Sequence, residues 1–174
     1  LDVFAQANCP GSRLLVVGQG DLVDPWKHNV DELNLHQRVQ FKGLATDVPG
    51  ELAHMDVLLY LPRPDSFATS DLALQEALLA GVVPVVLAGS PVADLVEHNV
   101  DGLIATNLQQ CVEHLQTLDT NRELLQRLRS AGQTRSKQNL NPNHCARAFE
   151  HLYERICTTP KQAHHVQLPQ LRVA

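Results

Sequence analysis

Residues 61–86, LPRPDSFATSDLALQEALLAGVVPVV, decide the fold of this chain. Turn residues and an acid, Asp65, lead into an apolar helix that carries Glu76, and Gly81 ends that helix. An apolar strand follows within a few residues. In an α/β protein this order brings a helix N-terminus and two or three carboxylates to the carboxyl edge of a parallel sheet, where ligands bind. Amides at such a terminus take phosphate, and carboxylates accept hydrogen bonds from hydroxyls. The combination suits a nucleotide-sugar.

Working outward, strand and helix signals alternate on both sides. Residues 1–7 (LDVFAQA) read as the end of an amphipathic helix without a cap, so the chain is expected to start inside an element of something longer. Residues 13–17 (RLLVV) form a strand ending at Gly18, and residues 24–35 a helix with Pro25 at a permitted first-turn position. A strand at 38–41, a short helix at 47–55 and a buried strand at 56–61 (DVLLYL) come next. Beyond the quoted stretch, whose helix is placed at 70–80 and strand at 83–87, lie a helix at 92–98 and a short strand at 102–105. From Leu108 the pattern is purely helical, with amphipathic segments at 111–118, 121–137 and 143–157. Strands alternating with helices imply βαβ units and a parallel sheet. The near-continuous apolar runs DVLLYL and VPVVL fit a sheet covered on both faces. The tail from Thr158 has prolines, paired histidines and no periodicity, and is expected to be loose.

Composition narrows the function. At 174 residues, with 44% apolar and 19% charged, the chain is one domain with a core that needs no staples. A formal charge of −5 and few aromatics (4%) argue against a nucleic-acid surface. No apolar run approaches the ~20 residues that cross a bilayer, and no secretory signal is visible. Cys9, Cys111, Cys145 and Cys157 lack CxxC spacing and read as reduced thiols of a cytoplasmic protein.

Several patterns have a bland reading beside a functional one. Gly18-Gln19-Gly20 sits between a strand and a helix, but Val23 replaces the third glycine of a dinucleotide fingerprint and no acid ends the next strand at the right distance. NAD is therefore not expected. A tight turn explains the two glycines, and a loop whose backbone lies near a phosphate or sugar is the alternative. In the cluster Asp65, Ser66, Thr69, Ser70 and Asp71, either Ser70 or Asp71 serves as a helix N-cap. A diphosphate at the same amides is the competing use. Glu76, amid Leu72, Leu74, Ala77 and Leu78, is either a solvated residue or a buried, hydrogen-bonded one, and its apolar surroundings favour the second. The nine histidines show no metal-ligand spacing, and no nucleophile elbow or Walker loop is present.

Taken together, RLLVVGQGD, RVQFKG, DVLLYLPRPDSFATSDLALQEALLAGVVPVVLA and DLVEHNVDGLIA occur in an order and spacing that resemble the C-terminal half of retaining GT-B glycosyltransferases, from about Arg13 to about Lys137. The resemblance implies a Rossmann-like parallel sheet with helices on both faces, followed by C-terminal helices. It implies a nucleotide-sugar-binding domain over residues 1–157, a tail over 158–174, and an N-terminal acceptor domain that these residues do not contain. Glu76 matches the acid that binds the donor ribose. Asp65, eleven positions earlier, matches the acid that contacts the donor sugar, as a shorter carboxylate than the usual glutamate. The resemblance further implies that Gly18, Gly20, Phe67, Ala68, Thr69 and Ser70 border the donor. Ala68 stands where the family usually has glycine, and Asp94 where it often has glutamate. The arginine and lysine that neutralise the diphosphate lie, in the family, upstream of the Gly18 strand.

The expected partner is a nucleoside-diphosphate sugar, with a hexose transferred to a sugar, lipid or glycan acceptor, as in polysaccharide biosynthesis, and with neither cofactor nor metal. Backbone groups near residues 41–45 are expected to read the base. Any membrane association would come mainly from the missing half. The rivals are a non-catalytic GT-B-like scaffold domain and a related nucleotide-sugar epimerase.

Overall fold

The computed structural model describes residues 1–62, 72–90 and 92–159. They fall into two compact units that divide between Asn139 and Leu140. The first unit is α/β. Helix α1 (Asp2–Ala7) leads to strand β1 (Leu14–Val17), followed by α2 (Val23–Glu32), β2 (Val39–Gly43), α3 (Val48–Leu52) and β3 (Val57–Tyr60). Then come α4 (Leu72–Ala80), β4 (Val83–Leu87), a 3₁₀ turn (Ala93–Leu95), β5 (Leu103–Ala105), α5 (Leu108–Thr120) and α6 (Arg122–Asn139). In the second unit, Asn141 caps α7 (Pro142–Thr158) by accepting from the Asn143 amide.

Every strand pairing is parallel, but the strands form two sheets among the described residues: β1–β2, and β3–β4–β5 with β4 in the middle. The pleat of β4 distributes its side chains to opposite faces. Val83 and Val85 join Val3, Ala7, Leu103, Cys111 and Leu118 under α1, α5 and α6. Val86 joins Leu74, Leu78, Val92 and Val96 under α4 and the 3₁₀ turn. Burial on both faces is what the run VPVVL predicts. The β1–β2 pair has its own cluster, in which Phe4, Val30, Leu35 and Val39 meet Leu14 and Val16. Arg38 closes the amino end of this pair. Its Nη2 donates to the Cys9 carbonyl (2.6 Å), and its guanidinium lies 4.7 Å from the centre of the Phe4 ring.

Most expected elements are present with boundaries moved by a few residues, and three findings differ. The strand 56–61 is half-buried rather than buried, and among the described residues β3 pairs with β4 alone. The parallel α/β arrangement is the expected one, divided among the described residues into two ladders. The helix expected at 92–98 is a single 3₁₀ turn. Val96 is extended there, and the Asp101 carboxylate draws the Glu97 amide to 2.7 Å, which competes with helical bonding. Gly81 does end α4, in a left-handed conformation (φ +81°) that favours glycine. All four cysteines are free thiols. Among the described residues, no helix is long and apolar enough to cross a membrane.

Candidate functional site

In the first unit, one cavity of about 580 Å³ runs along β1 and β3, lined by Leu15, Val17, Leu58 and Leu59, and reaches the ends of the strands. Gly18 follows β1, Leu44 and Ala45 follow β2, and Leu61 follows β3; all four line it, together with Ala73 and Glu76 of α4. The carboxyl ends of three strands therefore meet beside one helix. This is the location that the α/β strand order predicts for a ligand.

Gly18 belongs there for two local reasons. Its amide donates to the Gly43 carbonyl (2.7 Å), tying the end of β1 to the end of β2. Its φ of +130° suits glycine, and a Cβ on it or on Gly20 would meet no atom of the described residues within 4 Å. Packing among the described residues therefore does not require either residue to be glycine for space. Gly18 lines the cavity with its amide engaged by Gly43, whereas Gly20 is exposed, accepts from the Val23 amide and does not line the cavity.

Glu76 is exposed, and its carboxylate has no hydrogen bond or ion pair among the described residues. The expectation of a buried, paired acid is thus corrected. Neighbouring Leu74, Ala77 and Leu78 turn inward, and the helical period leaves Glu76 on the outer face at the cavity rim. A solvated carboxylate there is available to a ligand without a desolvation debt already incurred. The other charged residue lining the cavity is also an acid, Glu51, which is held by Lys42 at 3.3 Å. No cation lines the cavity among the described residues, so the charge that would balance a diphosphate is not supplied there.

Asp65, Ser66, Phe67, Ala68, Thr69, Ser70 and Asp71 lie outside the described residues, as does the proposed capping of α4. Asp94 is exposed in the 3₁₀ turn and does not line the cavity. Two contributors escaped the sequence reading. Trp26, the chain's single tryptophan, is 40% exposed on α2 and lines the cavity. A lone tryptophan on a helix usually signals packing, so its type gave no pointer. Ala73 contributes by position, for which a small residue leaves no signature. No group of three or more histidine, cysteine or acidic residues could hold a metal among the described residues.

Residues 1–135 match the family model described as Glycosyl transferases group 1. A curated relative, the uncharacterized glycosyltransferase YqgM of Bacillus subtilis (strain 168), is 27% identical over 162 residues. These are 90% of this chain but 44% of YqgM, so the chain spans less than half of that relative's length. Anabaena Alr3699/HepE, solved in complex with UDP-glucose, superposes with a TM-score of 0.72 at 22% identity, over 90% of this chain and 44% of that one. TarM of S. aureus superposes with a TM-score of 0.72 at 17% identity, over 87% of this chain and 32% of TarM. These likenesses show the fold, the Rossmann-like C-terminal half of a GT-B structure.

Proposed function

Because this chain belongs to the glycosyl transferases group 1 family, we propose that it is the nucleotide-sugar-binding half of a retaining glycosyltransferase. The observation that carries this reading is the free Glu76 carboxylate, which shares one cavity mouth with the ends of three parallel strands. A ribose presents two vicinal hydroxyls, and an exposed carboxylate accepts from both without losing an existing partner. The absence of a side chain at Gly18 gives a sugar or phosphate close approach, and Gly20, outside the cavity lining, is assigned to the donor's border on the resemblance. Leu44 and Ala45 offer main-chain groups to a base, and Trp26 offers an aromatic face. Asp65 is assigned to the donor sugar, and Phe67, Ala68, Thr69 and Ser70 to its surroundings and the phosphates, on the resemblance. HepE and the pneumococcal O-GlcNAc transferase GtfA, both solved with UDP, favour uridine as the base to test first.

The reaction would move a hexose from the nucleoside diphosphate to a sugar, lipid or glycan acceptor in the cytoplasm, with the acceptor held by a separate N-terminal domain. Negative charge grows on the departing diphosphate, so cations must face it in the transition state. Among the described residues the cavity lining holds two carboxylates and no basic side chain, and the resemblance assigns that contribution to an arginine and a lysine upstream of the Gly18 strand.

Titration of the full-length parent with UDP, GDP and ADP, followed by the fluorescence of Trp26, tests the donor site. The difference between this signal and that of Trp26→Phe is the one to read. One nucleotide should bind selectively, and Glu76→Ala should weaken it about tenfold to a hundredfold, as for loss of one charge-assisted hydrogen-bonding partner. Equal affinity in the Ala variant removes the ribose role. Absence of affinity for all three nucleotides favours the non-catalytic scaffold instead.

A further inference from the structure

Strand β5 stands at one end of its ladder among the described residues, and two histidines close its outer side. The Ala105 carbonyl accepts from the Ala88 amide (2.7 Å), so Leu103 and Ala105 turn their main chain toward β4. Alternation turns the amide and carbonyl of Ile104 the other way. Both are taken by imidazoles. The Ile104 amide donates to His98 Nδ1 (2.9 Å), and His114 Nε2 of α5 donates to the Ile104 carbonyl (3.3 Å). The two rings lie 5.8 Å apart, centre to centre. Two positions earlier, the Gly102 carbonyl accepts from the Asn99 amide (2.9 Å). The edge of β5 is thus closed group by group, and what closes it at Ile104 is titratable.

A main-chain amide can only donate and a carbonyl can only accept, so these two bonds fix the protons on the rings. His98 must be neutral, with a bare Nδ1 and its proton on Nε2. His114 must carry a proton on Nε2, which its neutral and its charged form both supply. The pair is therefore asymmetric toward acid. We propose that His98 is a proton-operated latch on the outer edge of β5, closed while its imidazole is neutral and opened when Nδ1 takes a proton. His114 is a cap that a proton does not release. Exposure of His98 gives solvent protons access to it. A proton on Nδ1 sets two N–H groups against each other and, once His114 is charged as well, two cations 5.8 Å apart. The charged groups that flank the pair or bond to its segment are Glu97 and Asp101, Glu113 on α5, and Arg127 and Arg135 on α6; β4 and β5 carry none. Glu97 and Asp101 pair with Arg135, Glu113 accepts from Gln109, and Arg127 donates to the Asn99 carbonyl. Among the described residues no carboxylate pairs with either imidazole, so no counter-ion offsets the second charge. The Asn99 bonds to Gly102 and Arg127 contain no group that titrates in the histidine range, and they confine the opening to Ile104. Neither histidine lines the cavity, so the latch stands apart from nucleotide binding.

Amide exchange on the full-length parent at about pH 8 and about pH 5, on either side of the ordinary histidine value of about 6.5, tests the latch. The readout is the ratio of the Ile104 rate to that of Val86, its register partner in β4, which cancels the pH dependence common to all amides. The ratio should rise about fivefold to tenfold at the lower pH, as for loss of one hydrogen bond. A ratio that is constant within about twofold, or that falls, overturns the proposal. In His98→Asn the side-chain oxygen can accept from Ile104 at both pH values, so the rise should vanish; a rise that survives this change overturns the latch. In His114→Gln the side-chain amide can still donate to the Ile104 carbonyl, so the rise should persist, and its loss assigns the switch to the wrong histidine. Nitrogen-15 spectra of the histidine rings at about pH 8 need no variant. His98 should carry its proton on Nε2, and a proton on Nδ1 there overturns the proposal.

Discussion

At Gly102 there is no room for a side chain. A Cβ would lie 2.7 Å from both Pro84 Cγ and Val96 Cγ1 and 2.8 Å from the Pro84 carbonyl oxygen. A proline ring and a main-chain oxygen cannot swing aside, so Gly102→Ala should cost about 1–3 kcal/mol, measured by urea unfolding. The cysteines divide as sharply. Burial pushes the Cys111 thiol up, and burial followed by the nearby Asp119 charge pushes Cys9 up. Each thiol therefore ionises more easily unfolded than folded. Their contribution to stability is complete below the ordinary thiol value, about 8.5, and is lost as pH rises from there through the raised folded values. Melting temperature should fall as pH rises above about 8.5, and less steeply in Cys111→Ala. At pH 8 a thiol reagent should titrate exposed Cys145 and Cys157 promptly, and reach Cys9 and Cys111 only in denaturant.

Among the elements, the segment after β4 depends on one buried acid. Asp101 is 2% exposed, accepts from the Glu97 amide and pairs with Arg135 of α6. Asp101→Asn keeps the shape but removes the charge that both donors address, and should cost about 2–3 kcal/mol in the same unfolding assay. This acid also explains where sequence patterning stopped working. Val92 and Val96 have helical spacing, yet Asp101 supplies a tertiary competitor for the Glu97 amide that no local window contains. Where local signals were sufficient, as for β4 between Gly81 and Ala88, the expected strand 83–87 is the observed one. For the candidate site, the position of Gly18 at a strand end was legible, but the solvation of Glu76 was not. Its apolar neighbours suggested burial, whereas the helix turns those neighbours inward and leaves Glu76 outside. Leu44 and Ala45 were legible only as part of a segment, because a main-chain contribution imposes no residue type.

Across the whole first unit, α1 has six residues and packs into the clusters of both sheets. Alternation of helices and strands made the α/β class readable, but the division of the described strands between two ladders leaves no local signal, because strand pairing is a long-range contact. Phe4 is the α1 side chain buried in the β1–β2 cluster, beneath the Arg38 guanidinium. Phe4→Ala should cost about 3–5 kcal/mol if the loss is felt by the unit as a whole. It should also do something that a mutation inside either sheet would not. With the Phe4 contact between α1 and the β1–β2 pair cut, heat should melt the two sheets at separate temperatures, and the van't Hoff enthalpy should fall below the calorimetric one. One short helix would then set the cooperativity of the unit: whether a calorimeter records one transition or two is decided by a single phenyl ring.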